Sequence, residues 1–147
     1  MKILVHNRTE YEVEALNIEY VSLEELFSRS DIISLHARLN DENERIIGNK
    51  YLSLMKQNAF LVNTARGGLI NEEDLIAGLK AGKPLAAAID VTTTEPLADN
   101  SELRLMPNCV ITPHVACSST ESLNRLADIT VQNISAFYQG NPQNVVN

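Results

Sequence analysis

Short apolar runs alternate with polar, cap-forming stretches along the whole chain of 147 residues. Ile3-Leu4-Val5 is the first run, and the polar Asn7-Arg8-Thr9 closes it, which predicts a buried strand and its exit. Ser22, with Glu25 three residues later and Leu23 and Leu26 between and after, matches a capping box, so a short helix is expected to start there. Residues 31–36 form the next strand candidate, and Asn49 is a candidate cap for a helical turn carrying Tyr51, Leu52 and Met55. Residues 59–63 read as another buried strand, running into Thr64-Ala65-Arg66-Gly67-Gly68.

The second half continues the alternation. Asn71 is placed to cap a helix with Glu72, Glu73 and Asp74 in its first turn, an apolar face of Leu75, Ile76 and Leu79, and Gly82 at its stop. Residues 85–91 predict a fourth strand, whose alanines imply helices packed closely on both faces. Residues 109–112 predict a fifth. A long helix is expected from about Ser119 to Tyr138, with Leu123, Leu126, Ala127, Thr130, Ile134 and Phe137 at helical spacing, ending at Gly140 and Pro142. Nearly all-apolar strands separated by helices predict a parallel sheet covered on both faces, an α/β fold.

Composition narrows the class. With 44% hydrophobic and 21% charged residues the chain is ordinary globular protein, long enough for one domain with a core. A net charge of −7 leaves no cationic surplus for phosphates, so nucleic acid is not expected as a partner. No apolar run approaches the roughly 20 residues that a membrane span requires, and the apolar stretch after Met1 and Lys2 is too short for a signal peptide. Cys109 and Cys117 suit neither a disulfide framework nor a metal site, and a reducing, cytoplasmic setting is the simplest expectation.

Ligands of open parallel sheets bind outside the carboxyl ends of the strands. Three ionisable residues fall just past three such ends: Arg66, Glu95 and His114. Singly, each reads as an ordinary loop residue. Together they suit the oxidation or reduction of a small 2-hydroxy or 2-keto acid. A histidine moves a proton near neutral pH, a carboxylate beside it orients its ring and raises its pKa, and an arginine holds a substrate carboxylate with a two-pronged fork.

The segments Val62-Asn63-Thr64-Ala65-Arg66-Gly67-Gly68, Ala88-Ile89-Asp90-Val91 with Thr94-Glu95-Pro96-Leu97, and Thr112-Pro113-His114 resemble signature blocks of the D-isomer-specific 2-hydroxyacid dehydrogenases. That group includes glyoxylate/hydroxypyruvate reductases, D-lactate and phosphoglycerate dehydrogenases, and related corepressors. The resemblance runs in order from Lys2 to the C-terminus. It implies Arg66 as the substrate-carboxylate arginine, Glu95 as the histidine's partner and His114 as the acid/base. It further implies cofactor contacts from Thr64, Ala65, Arg66, His114 and Ala116, with Asp90 facing the nicotinamide carboxamide and His36 beside the adenosine ribose. Two departures stand out. The family's His-x-Pro-Leu-Thr reads His36-Ala37-Arg38-Leu39-Asn40 here, and Ala116 stands where the family has glycine. Asn7 and Arg8 replace the acidic residue expected at the end of the first strand, which favours NADP over NAD.

None of the six glycines forms a G-x-G-x-x-G turn, the element that holds a dinucleotide pyrophosphate. The expected architecture is therefore a partial Rossmann-like, doubly wound sheet lacking the first strand and the glycine-rich loop. Residues 1–139 make the incomplete dinucleotide-binding domain and residues 140–147 a tail, with no substrate domain. Three functions follow: a dehydrogenase chain weak or inactive alone, a non-catalytic protein-binding module like the corepressors, or one half of a split enzyme. An uncovered sheet edge or the last helix is expected to drive homo-oligomerisation.

Overall fold

The computed structural model describes residues 1–9, 11 and 17–146. Its elements in chain order are β1 (Ile3–Val5), β2 (Ile18–Tyr20), α1 (Leu23–Arg29), β3 (Ile32–Leu35), α2 (Asn49–Leu52), β4 (Phe60–Asn63), α3 (Glu72–Lys80), β5 (Ala86–Ile89), β6 (Cys109–Ile111) and α4 (Thr120–Tyr138). Single 3-10 turns occupy Gly67–Leu69 and Glu102–Leu105. The chain forms two compact units, Met1–Pro113 and His114–Asn147.

Every strand pair is parallel, which gives the α/β class that the alternation of elements predicts. The strands fall into two sheets, β1-β2 and β3-β4-β5-β6. The strand β2 has no counterpart among the sequence expectations. It is three residues long, too short to display a period, and its central Glu19 forms ion pairs with Lys2 at 2.5 Å and Arg29 at 2.7 Å. Those two cations, through their hydrogen bonds, hold the Glu19 carboxyl below its usual range.

Helix caps follow local chemistry. The Ser22 hydroxyl accepts from the Glu25 N–H at 3.2 Å, and the Glu25 carboxylate accepts from the Ser22 N–H at 3.0 Å, completing the box. Asn71 and Ser119 cap α3 and α4 as expected. Asn49 does not cap α2. Gly48 holds that position, and the Asn49 N–H is taken by the Asp74 carboxylate at 2.8 Å, across from α3.

Among the described residues of the first unit, helices pack on one face of the four-stranded sheet, where its apolar strands predict cover on both. Phe27 of α1, Leu52 of α2 and Leu75 of α3 are buried in one cluster with Ile33, Leu61 and Ile89 of the sheet. Successive residues of a strand point to opposite faces, and the other face carries Ile32 at 64% exposure, Phe60 at 42% and Val110 at 65%. Pairing of Phe60 with Ala86 and of Ala88 with Val110 puts two of the β5 alanines on this open face. In the second unit, α4 has no buried residue, and its apolar side chains Leu126 and Phe137 are exposed.

Candidate functional site

The exit of β4 is organised by a side chain that sequence reasoning passed over. Asn63 is fully buried at the end of the strand. Its Nδ2 donates to the Arg66 carbonyl at 2.9 Å, and its Oδ1 accepts from the Ala65 N–H at 3.0 Å. One amide therefore satisfies both ends of the turn that presents Thr64, Ala65 and Arg66, and the turn needs no regular partner. The readable signal was a polar residue closing an otherwise apolar strand.

Two glycines then fit this turn against its neighbours. A Cβ on Gly67 would lie 2.1 Å from the Thr92 carbonyl carbon and 2.6 Å from the Thr93 nitrogen, so the β4 exit touches the β5 exit backbone to backbone. A Cβ on Gly68 would lie 2.8 Å from Leu39 Cδ2, and the Gly68 carbonyl accepts from the Arg45 N–H at 2.7 Å. The loop after β3 is thereby locked onto the loop after β4.

Between these two loops lies an open cleft of about 340 Å³ lined by His36, Ala37, Arg38, Thr64, Ala65 and Arg66. The expected residues His36, Thr64, Ala65 and Arg66 are thus brought together at the carboxyl ends of adjacent strands. A His36 ring nitrogen lies 2.9 Å from the Ser34 hydroxyl. Arg66 is exposed, and its guanidinium donates to the carbonyl of Ala65 at 2.6 Å. Arg38, one of the departures from the family pattern, shares the cleft. Asn7 and Arg8 follow β1. The Asn7 Oδ1 accepts from the Arg8 N–H at 2.9 Å, and the Arg8 guanidinium is 3.8 Å from Glu42 with both side chains largely in solvent.

At the β5 exit, Asp90 is buried and accepts from the Thr112 hydroxyl at 2.5 Å, tying the ends of β5 and β6. The Glu95 Oε1 accepts from the Thr92 N–H at 3.1 Å, and the Thr92 hydroxyl donates to the Thr94 carbonyl, which folds this loop back on itself. His114 follows Pro113 and opens the second unit with φ 55°, a left-handed conformation. Ala116 is exposed in that unit. Cys109 is no candidate nucleophile, because burial and the charge of Glu72 push its thiol up to about 11.

Residues 1–116 match the family described as D-isomer specific 2-hydroxyacid dehydrogenase, NAD binding domain. The chain is 43% identical to a hydroxypyruvate reductase of Blautia hydrogenotrophica, over 100% of this chain and 46% of that protein. It is likewise 43% identical to a glyoxylate reductase of Aeropyrum pernix, over 100% of this chain and 45% of the relative. Among solved structures it is similar to an acyclic imino acid reductase in complex with NADPH and D-Arg, with TM-score 0.91, 35% identity and coverage of 100% of this chain and 46% of that one. It is also similar to a D-isomer specific 2-hydroxyacid dehydrogenase of Lactobacillus delbrueckii in its NAD complexed form, with TM-score 0.88 and 29% identity over 99% and 48% of the two chains. The chain thus spans about half the length of the relatives it matches.

Proposed function

Because the chain belongs to the D-isomer specific 2-hydroxyacid dehydrogenase family through its NAD binding domain, we propose that it serves the nicotinamide side of hydride transfer to and from a small 2-hydroxy or 2-keto acid. The observation that carries this reading is the cleft at the β3 and β4 exits, with Arg66 on a turn fixed by buried Asn63. Residues 64–66 line the cleft on the proposed nicotinamide side, and His36 lines it on the side of the adenosine ribose. The sequence provides no G-x-G-x-x-G turn for its pyrophosphate, so weak binding by this chain alone is expected. When bound, the nicotinamide donates or accepts the hydride.

In this reading, Arg66 receives the substrate carboxylate through two parallel N–H donors and draws electron density from the adjacent carbonyl. His114 delivers a proton to the carbonyl oxygen as hydride reaches the carbon, and withdraws it in the reverse direction. Glu95 keeps the imidazole ring oriented for that exchange. The adjacency of β4, β5 and β6 supports the set, since Asn63, Ile89 and Ile111 stand in register at the strand ends that precede Arg66, Glu95 and His114. Asp90, Ala116 and the other cofactor contacts that the resemblance implies complete the proposed site. The free thiols of Cys109 and Cys117 fit a cytoplasmic setting.

Arg8 beside Asn7 supports NADP over NAD, because neither residue repels a 2′-phosphate. Fluorescence titration of the chain should give a lower Kd for NADPH than for NADH, and Arg8→Glu should erase the difference. A firm NADH preference in the parent chain would remove this assignment. Arg66→Gln should weaken pyruvate binding by about tenfold or more, the worth of a charge-assisted pair. An unchanged Kd would exclude Arg66 as the anchor.

A second reading is favoured by the uncovered surfaces. The open face with Ile32, Phe60 and Val110, and the bare apolar side of α4, suit a chain that is completed by another polypeptide or by its own copies. Homo-oligomerisation should appear in light scattering as a mass rising with concentration. A constant monomer mass would count against it.

A further inference from the structure

The cleft between the β3 and β4 exits differs in charge from the chain that carries it. Among the described residues, no carboxylate lines it, and Arg38 and Arg66 bring two guanidinium groups. On a chain of net charge −7, such a concavity is where an anion is drawn in. Arg66 stands on the β4 side and takes the substrate carboxylate in the reading above. Arg38 stands on the β3 side, just past His36, where the family pattern has a proline.

The covalent order of a dinucleotide decides what passes Arg38. With residues 64–66 on the nicotinamide side and His36 on the side of the adenosine ribose, the group between them is the diphosphate that joins the two nucleosides. Both of its phosphates are ionised, and a guanidinium fork matches a phosphate in shape as well as charge. The Arg8 guanidinium after β1 is 3.8 Å from the carboxylate of Glu42, which belongs to the same loop as Arg38. The β1 exit and the loop after β3 therefore face each other at this rim.

The backbone that carries Arg38 is held in place. Its carbonyl accepts from Asn43 Nδ2 at 2.8 Å, and Asn43 Oδ1 accepts from the Asn40 N–H at 2.8 Å. Leu39, the next residue, fills the space above Gly68, and Arg45 further along the loop donates its N–H to the Gly68 carbonyl. A ligand contact thus costs mainly the ordering of one side chain. The sequence contains no G-x-G-x-x-G turn to offer backbone N–H groups to a diphosphate, so a side-chain cation has more to contribute.

We propose that Arg38 binds the diphosphate of the nicotinamide dinucleotide from the β3 side of the cleft. The inference rests on the dinucleotide reading of that cleft and adds a contact that neither the family match nor the signature segments assign. Arg38 tightens NADH and NADPH alike, and the choice between them stays with Arg8.

Fluorescence titration of the chain with NADH and with NADPH tests it. Arg38→Gln should raise both Kd values by about tenfold, the worth of one charge-assisted contact, and leave their ratio unchanged. Calorimetric titration with ADP, which keeps the diphosphate and lacks the nicotinamide, should show the same loss. Arg38→Lys, which keeps the charge and loses the fork, should fall between the parent and Arg38→Gln. Circular dichroism should show both variants folded, because the side chain is exposed. Unchanged Kd values in Arg38→Gln overturn the proposal. A loss confined to NADPH does so too, by moving Arg38 to the 2′-phosphate, and so does an Arg38→Lys chain no tighter than Arg38→Gln. If the parent binds neither dinucleotide, the dinucleotide reading of the cleft falls. If the parent binds them and Arg38→Gln binds them equally well, only the Arg38 contact falls.

Discussion

Gly67→Ala should be among the most damaging single substitutions in the chain, costing about 3 kcal/mol or more and lowering the Tm by roughly 6 to 12 °C. The new methyl carbon would stand 2.1 Å from the carbonyl carbon of Thr92 and 2.2 Å from its oxygen, where carbon atoms normally rest about 3.5 to 4.0 Å apart. The obstacle is backbone, so no rotamer change makes room. Either the 3-10 turn at Gly67–Leu69 lifts away from the β5 exit, or the loop carrying Glu95 is pushed outward. Both movements disturb the presentation of Arg66, so ligand affinity should fall with stability. Gly82→Ala is the informative contrast, because nothing lies within 4 Å of the added carbon and only the φ of +72° opposes it. That substitution should cost about 1 to 2 kcal/mol from the left-handed backbone alone. Thermal denaturation of the two variants checks the order, and a Gly67→Ala chain melting within a degree or two of the parent would refute the close-contact account.

Asn63→Ala should cost about 2 to 4 kcal/mol, from two broken hydrogen bonds and the void left by a fully buried side chain. The Ala65 N–H and the Arg66 carbonyl would lose their partners in a half-buried turn. The effect should not stop at stability. With its carbonyl untethered, Arg66 samples other directions, and its affinity for a carboxylate should drop further than unfolding explains. Urea denaturation measures the first effect, and pyruvate titration well below the unfolding transition measures the second. If stability falls while affinity at full folding is unchanged, Asn63 is a core amide and not a positioning residue for Arg66.

The features legible along the chain were those set by neighbours in sequence. Alternating apolar runs announced β1, β3, β4, β5 and β6. Ser22, Asn71 and Ser119 announced three helix starts, because a cap and its acceptor lie within one turn. The signature segments around Arg66, Glu95 and His114 pointed to the family, which the match over residues 1–116 bears out.

Other features depend on residues far apart in the chain. Three residues at β2 carry no period, and that strand exists because it pairs with β1 and because Glu19 meets Lys2 and Arg29. Apolar strands announce burial but cannot name a covering partner, so Ile32, Phe60 and Val110 emerge on an open face while Ile33 and Leu61 lie under helices. Asn63 and Gly67 carry no signal of their own role in the sequence. The two turn hydrogen bonds, the contact with Thr92 and the shared cleft appear only when separate strand ends come side by side. Arg66, Glu95 and His114 were singled out by their places just past strand ends. The second arginine of the cleft was a matter of tertiary structure, because a charge acquires its meaning from which other charges share its space.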